Sequence, residues 1–216
     1  MNYTLVVIFS FSIAIPAIIG CIRSKQIDTA YYPFIFLLCL GLLNETISYL
    51  LTRSGYSNAI NANIYSLTEG LLITTFFHKL NLFNKQKKLY VLIISSLVIL
   101  WALDKFFITS IKEFSSYFSF FASLTYVLMA ISMINRLLLV EKKRIVRNGL
   151  FLICFGIIVF FTYALLLEIF WYYGLNSSRQ FRLKVYRIMT YINLVTNLIY
   201  ALAILWIPRK REYTLL

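Results

Sequence analysis

A chain of 216 residues that is 61% hydrophobic and 13% charged, with a mean hydropathy of +0.80, lies far outside the range of soluble domains. It reads as an all-α, polytopic membrane protein. A formal net charge of +13 then concerns topology and anionic lipid headgroups, and nucleic acid is not an expected partner.

Crossing about 30 Å of hydrocarbon takes roughly 20 helical residues. The charges divide the chain into seven such stretches, at about 3–22, 33–52, 59–78, 89–108, 114–138, 149–173 and 186–207. Together they make one seven-helix domain over residues 1–216, with short loops that force consecutive helices to be antiparallel neighbours. With the N-terminus outside, the cytoplasmic segments hold Arg23, Lys25, Lys79, Lys85, Lys87, Lys88, Arg136, Lys142, Lys143, Arg144, Arg147, Arg209, Lys210 and Arg211. The outer segments hold Arg53, Lys105, Lys112, Arg179, Arg182, Lys184 and Arg187. Fourteen cations against seven place the N-terminus outside and the C-terminus in the cytoplasm.

The first stretch is expected to kink near Pro16. Ile18-Ile19-Gly20-Cys21 has the look of a lipidation box, but residues 1–7 carry no cation and Arg23 with Lys25 holds that end inside. Asn2-Tyr3-Thr4 and Asn176-Ser177-Ser178 match the glycosylation sequon, a triplet common by chance. Cys21, Cys39 and Cys154 all fall within spans and read as small apolar residues.

The second stretch carries Glu45, Ser48, Tyr49 and Thr52, and the third Asn61, Asn63, Tyr65, Ser66 and Glu69, with His78 at its inner end. Asp104 and Lys105 close the fourth among Trp101, Phe106 and Phe107, as an interfacial anchor would. The fifth has Ser116, Ser119, Ser123 and Tyr126; a basic inner segment, 141–147, follows it. The sixth holds Glu168 and Tyr172. Leu42-Leu43-Asn44-Glu45 with Tyr49 and Leu165-Leu166-Leu167-Glu168 with Tyr172 both read L-L-x-E-x-x-x-Y, and Thr68-Glu69 matches Thr196-Asn197. These pairs suggest that spans one to three and five to seven are parallel repeats around a linking fourth, a 3+1+3 plan. The seventh carries Tyr186, Thr190, Asn193, Asn197 and Tyr200 at spacings of four, three, four and three, which share one helix face.

Amides exposed to lipid lack hydrogen-bond partners, so these faces must look into the bundle. Under the N-outside topology they converge in the outer half, above apolar runs at 34–43, 70–77, 127–134 and 151–161. One outward-facing polar chamber closed below by an apolar plug is therefore expected. It would be built from Glu45, Tyr49, Asn63, Tyr65, Glu69, Glu168, Tyr172, Arg187, Asn193 and Asn197. A carboxylate at membrane depth costs several kcal/mol and marks a functional site by default. Arg187 is placed to pair with Glu168 or Glu45, while Glu69, with no cation at its depth, is the one expected to be neutral.

Seven spans with an outer N-terminus resemble the microbial rhodopsins, but the last span has no lysine between Arg187 and Arg209 to attach retinal. The 3+1+3 plan resembles sugar transporters of the SWEET and PQ-loop type, without their Pro-Gln dipeptide: Ala17 follows Pro16, and the fifth span lacks proline. A single histidine cannot furnish a zinc hydrolase site, and no cofactor is expected. The sequence points to a bacterial inner-membrane protein, the bacterial source inferred from its heavy use of Ile, Phe, Tyr, Asn and Lys. It would bind a small polar or amphiphilic molecule in a transporter-like way, with a receptor-like sensor or accessory subunit of another membrane protein as the alternative. An intramembrane enzyme with paired carboxylates is a third reading.

Overall fold

The computed structural model describes residues 3–84, 86–114, 116–140, 145–173 and 179–208. Among them the chain is all-helical. A first helical rod comprises α1 (Tyr3–Ser10) and α2 (Ala14–Arg23), joined by a 3-10 turn at Phe11–Ile13. The rod tightens there because Pro16 has no N–H to return to the Ser12 carbonyl one turn back. Asp28 accepts from the Ala30 N–H at 2.9 Å and starts the turn into α3 (Tyr32–Arg53), whose Pro33 sits in the first turn, where a missing donor costs nothing. Gly55, at φ +79°, turns the chain toward α4 (Ala59–Lys79). α5 (Lys87–Leu103) ends in a π-helical turn at Asp104–Ile108. α6 (Ser116–Val140), α7 (Gly149–Tyr173) and α8 (Arg179–Trp206) complete the chain, with Asn148 capping α7 through the Leu150 N–H at 2.8 Å.

Six helical segments among the described residues are long and apolar enough to cross a membrane: Leu5–Gln26, Thr29–Arg53, Lys87–Ile108, Ser116–Leu139, Gly149–Phe170 and Lys184–Trp206. α4 is of similar length but is not one of them, because Asn61, Asn63, Glu69 and His78 lower its hydropathy. Large apolar side chains cover the outside, such as Ile22 at 72% and Phe36 at 57% exposure, which is the composition of a lipid-facing surface.

The helices close into a ring. α2 and the 3-10 turn before it pack on α3, α3 on α4, α4 on α6, α6 on α7, α7 on α8, and α8 returns to α1 and α2; α5 lies outside, against α4 and α6. Two neighbouring pairs run parallel. Phe9 meets Tyr191, Ser12 meets Asn197, and the Arg23 guanidinium donates to the Ile204 and Ile207 carbonyls, so the first rod and α8 advance together. Asn63 meets Glu113, Gly70 faces Tyr126 and Asn81 meets Arg136, so α4 and α6 do the same.

One end of the ring is packed solid. Phe34 lies 5.4 Å from Phe76 and 5.1 Å from Tyr200, centroid to centroid, and Ile73, Ile153, Ile157 and Ile204 around them are at most 1% exposed. Phe34, Ile73, Phe76, Ile153 and Ile157 come from the apolar runs at 34–43, 70–77 and 151–161, while Tyr200 and Ile204 come from α8.

Candidate functional site

α8 builds one wall of the site. Tyr186, Thr190, Asn193, Asn197 and Tyr200 all line a cavity of about 380 Å³, as their spacing requires of residues on one face. The first rod adds Val6, Ser10 and Ile13; α3 adds Leu37, Leu38, Gly41, Asn44 and Glu45; α4 adds Tyr65, Glu69 and Ile73; α7 adds Ile157, Phe160 and Phe161. The apolar floor of Leu37, Leu38, Ile73 and Ile157 is the top of the packed core.

Two carboxyl groups share this cavity. Glu69 accepts the Tyr65 hydroxyl at 2.9 Å, and Glu45 has the Ser10 hydroxyl within hydrogen-bonding reach. The Asn197 amide donates to Ser12 Oγ at 2.8 Å and to Asn193 Oδ1 at 3.3 Å, which fixes the pair across the α1–α8 seam. Thr196 also lines the cavity, is 1% exposed, and has no hydrogen-bond partner for its hydroxyl. None of the lining residues is basic.

A second cavity of about 160 Å³ adjoins the first through a shared wall of Glu69, Phe160 and Phe161. Its other lining residues are Ser66, Phe118, Ser119, Ala122, Ser123, Tyr126, Ala164 and Glu168. The Tyr126 hydroxyl, 1% exposed for the whole residue, is also without a partner and is lodged against Gly70, where a Cβ would meet it. Gly156 makes the same room for the Tyr200 ring beside the first cavity. Glu168 has Ser116 within hydrogen-bonding reach, as Glu45 has Ser10.

The structure thus gathers Glu45, Tyr65, Glu69, Asn193 and Asn197 into one cavity and divides the expected single chamber in two. Glu168 belongs to the smaller one, with Phe160 and Phe161 in the wall that the two cavities share. Arg187 pairs with neither glutamate: it is exposed and lies about 100° around α8 from Tyr186 on the cavity face. Tyr49 lies off the cavity, edge-on to Phe11 and accepting from Arg53 Nη1 at 3.4 Å. Asn63 is a clamp rather than a lining residue: 2% exposed, its side-chain amide donates to the Ile111 and Glu113 carbonyls at 2.8 Å each, and its backbone carbonyl accepts from Trp101 Nε1 at 2.9 Å. The side chain of Tyr172 lies outside the described residues, as do residues 141–144 of the basic segment.

Asp104 and Lys105 are not an exposed anchor. They are 1% and 3% exposed, 4.0 Å apart, with Thr109 and the Glu113 carbonyl completing their bonds; the π-turn rotates them inward and leaves Phe106 and Phe107 outside. Sequence reasoning missed Ser10, Ser12, Asn44, Thr196 and the two phenylalanines. The serines alone carried a signal, as hydroxyls two apart in an otherwise apolar run. Among the described residues no group of three or more His, Cys, Asp or Glu side chains is placed to hold a metal ion.

The site combines two acids, three tyrosines, three amides and an apolar floor in a volume near the small end of the range for small-molecule pockets. No family model, curated protein or solved structure matches the chain, so the site is read from its own geometry.

Proposed function

We propose that this chain is a seven-span bacterial inner-membrane protein, N-terminus outside, whose larger cavity faces outward and binds a small polar or amphiphilic molecule as a transporter does. α4 serves as the third span in this reading, because three of its polar residues find partners within the protein: Asn61 on Asn44, Asn63 on the 111–113 loop, Glu69 on Tyr65. The carrying observation is the cavity itself, in which Glu45 and Glu69 meet the polar face of α8. Glu69 alone among the three glutamates borders both cavities, the position a protonatable coupling residue would occupy.

The ring order also supports the 3+1+3 plan. Exchanging spans one to three with five to seven carries each contact within the ring onto another, and it carries the Ser10–Glu45 pair onto Ser116–Glu168, whereas the contacts of α5 with α4 and α6 have no such counterparts. The linking helix, α5, stands outside the ring as that plan requires.

A receptor-like sensor is the second reading, favoured by the solid aromatic core beneath the cavity. Impermeant maleimides on vesicle-reconstituted, otherwise cysteine-free variants separate the two. Ser10→Cys and Asn193→Cys should label from the outer face. A transporter must also expose Ile153→Cys to the inner face in some condition, such as an imposed proton gradient. Persistent protection of that position rejects the transporter reading, and chamber labelling from the cytoplasmic side alone rejects the topology.

A further inference from the structure

Nothing basic lines the larger cavity, although two carboxyl groups do. Glu45 and Glu69 stand on adjacent helices and line one cavity with Ser10 and Tyr65, whose hydroxyl bonds Glu69. Hydroxyls can stabilise a carboxylate but cannot neutralise it. An anionic ligand would be repelled by either acid in its ionised form, whereas a cationic one supplies the counter-charge that the wall lacks.

The rest of the wall describes the body of the ligand. Tyr65, Tyr200, Phe160 and Phe161 present ring surfaces, which attract an organic cation through their quadrupoles. Leu37, Leu38, Ile73 and Ile157 form an apolar floor. At 380 Å³ the space is far larger than a bare metal ion needs. Thr196 lines this space, and its buried hydroxyl has no hydrogen-bond partner.

Resting on the ligand-binding reading of this cavity, we propose that its ligand is an organic amine: a protonated nitrogen held by Glu45 and Glu69, carrying a compact apolar or aromatic body. Binding is then a charge-assisted contact at the acids plus burial of the body against the floor and rings. Glu69 gives up part of its interaction with Tyr65 to the ligand, while the unpartnered Thr196 hydroxyl is left for a second polar group if the ligand has one.

The experiment compares three probes of one shape, phenethylamine, 2-phenylethanol and phenylacetate, on purified protein in detergent, by calorimetric titration and by the shift in melting temperature. Phenethylamine is expected to bind saturably and at least tenfold more tightly than the alcohol, with phenylacetate weakest. Glu45→Gln and Glu69→Gln should each weaken the amine tenfold or more and narrow its advantage over the alcohol. Glutamine still accepts from Tyr65 or Ser10, so both variants should fold, and their ligand-free melting temperatures check that they do. Equal binding of amine and alcohol, a preference for phenylacetate, or full amine affinity in both variants overturns the amine assignment. Thr196→Val and Tyr200→Ala separate that failure from failure of the cavity itself. If they weaken whichever probe binds, the cavity is the site and only its ligand class was misread. If no probe binds, or binding ignores all four substitutions, the amine proposal falls and the ligand-binding reading loses its support.

Discussion

Tyr65 donates its hydroxyl to Glu69 Oε1 at 2.9 Å from one turn earlier on α4, so the acid that borders both cavities is held by its own helix. The bond keeps a buried carboxyl oriented before any ligand arrives. It also ties the phenol, which would otherwise be a second unpartnered hydroxyl in the wall beside that of Thr196.

Tyr65→Phe removes the donor and keeps the ring. The expected cost is about 1 kcal/mol, the net value of an ordinary hydrogen bond, seen as a lower midpoint when unfolding is driven by raising the SDS fraction in mixed micelles. Glu69→Gln should cost less than Glu69→Ala, since the amide oxygen still accepts from Tyr65. A Tyr65→Phe midpoint equal to that of the parent chain would show that the bond contributes nothing.

Tyr126 and Gly70 make the opposite arrangement, a buried hydroxyl with no partner wedged where a Cβ would stand. Tyr126→Phe is therefore expected to be neutral or to stabilise by up to about 1 kcal/mol, because a desolvated and unsatisfied group is removed. Gly70→Ala alone should destabilise, by about 1–3 kcal/mol for an overpacked contact. On the Tyr126→Phe background it should cost clearly less, and a double-mutant cycle over the four proteins reads the coupling. Gly149→Ala is the control with no such remedy: its Cβ would meet backbone, Ala203 O at 2.6 Å and Ile207 N at 2.9 Å.

The α8 face was readable from sequence because spacing alone decides which residues of a helix share a side, and all five of its polar residues line the cavity. What spacing leaves open is the rotation of one helix against its neighbours. On α4, Asn63 and Glu69 are both polar, yet the Asn63 side chain turns to the 111–113 loop while Glu69 turns to the cavities. That choice depends on where α5 and α6 pack. The split between Glu45 and Glu168 has the same origin, since it depends on where Phe160 and Phe161 point. The π-turn that buries Asp104 and Lys105 is a backbone event with no residue signature, so an anchor was the natural reading of a charged pair among aromatics.

Cys21 and Cys39 are both free, on α2 and α3, with their sulfurs 3.4 Å apart. The contact is close enough for a membrane-permeant oxidant such as diamide to join them with small side-chain rotation. Mass-tag counting of reactive thiols in denatured protein should fall from three to one after oxidation and return to three on reduction. Cys39→Ser should prevent the loss of two thiols, whereas Cys154→Ser should leave it unchanged, since Cys154 is buried in the core on α7. Three thiols surviving oxidation would contradict the α2–α3 contact.

Asp104 and Lys105 offer the sharpest stability test, because they are nearly inaccessible and their bonds run to the loop that Asn63 also grips. Asp104 accepts from Thr109 Oγ1 at 3.2 Å and from the Phe118 N–H at 3.4 Å, while the Lys105 ammonium donates to Thr109 at 3.0 Å and to the Glu113 carbonyl at 3.1 Å. Removing one partner strands the other charge away from water, which typically costs about 3–5 kcal/mol. Asp104→Leu and Lys105→Met should each be that harmful alone. The double variant removes both charges and should recover a large part of the loss, since apolar residues of similar volume often replace a buried pair with little penalty. Hydrogen exchange locates the effect: the single variants should lose amide protection in residues 104–118, and the double variant should regain it. Additive losses in the double variant would mean that the two residues act independently, each through its own loop bonds rather than through their mutual charge.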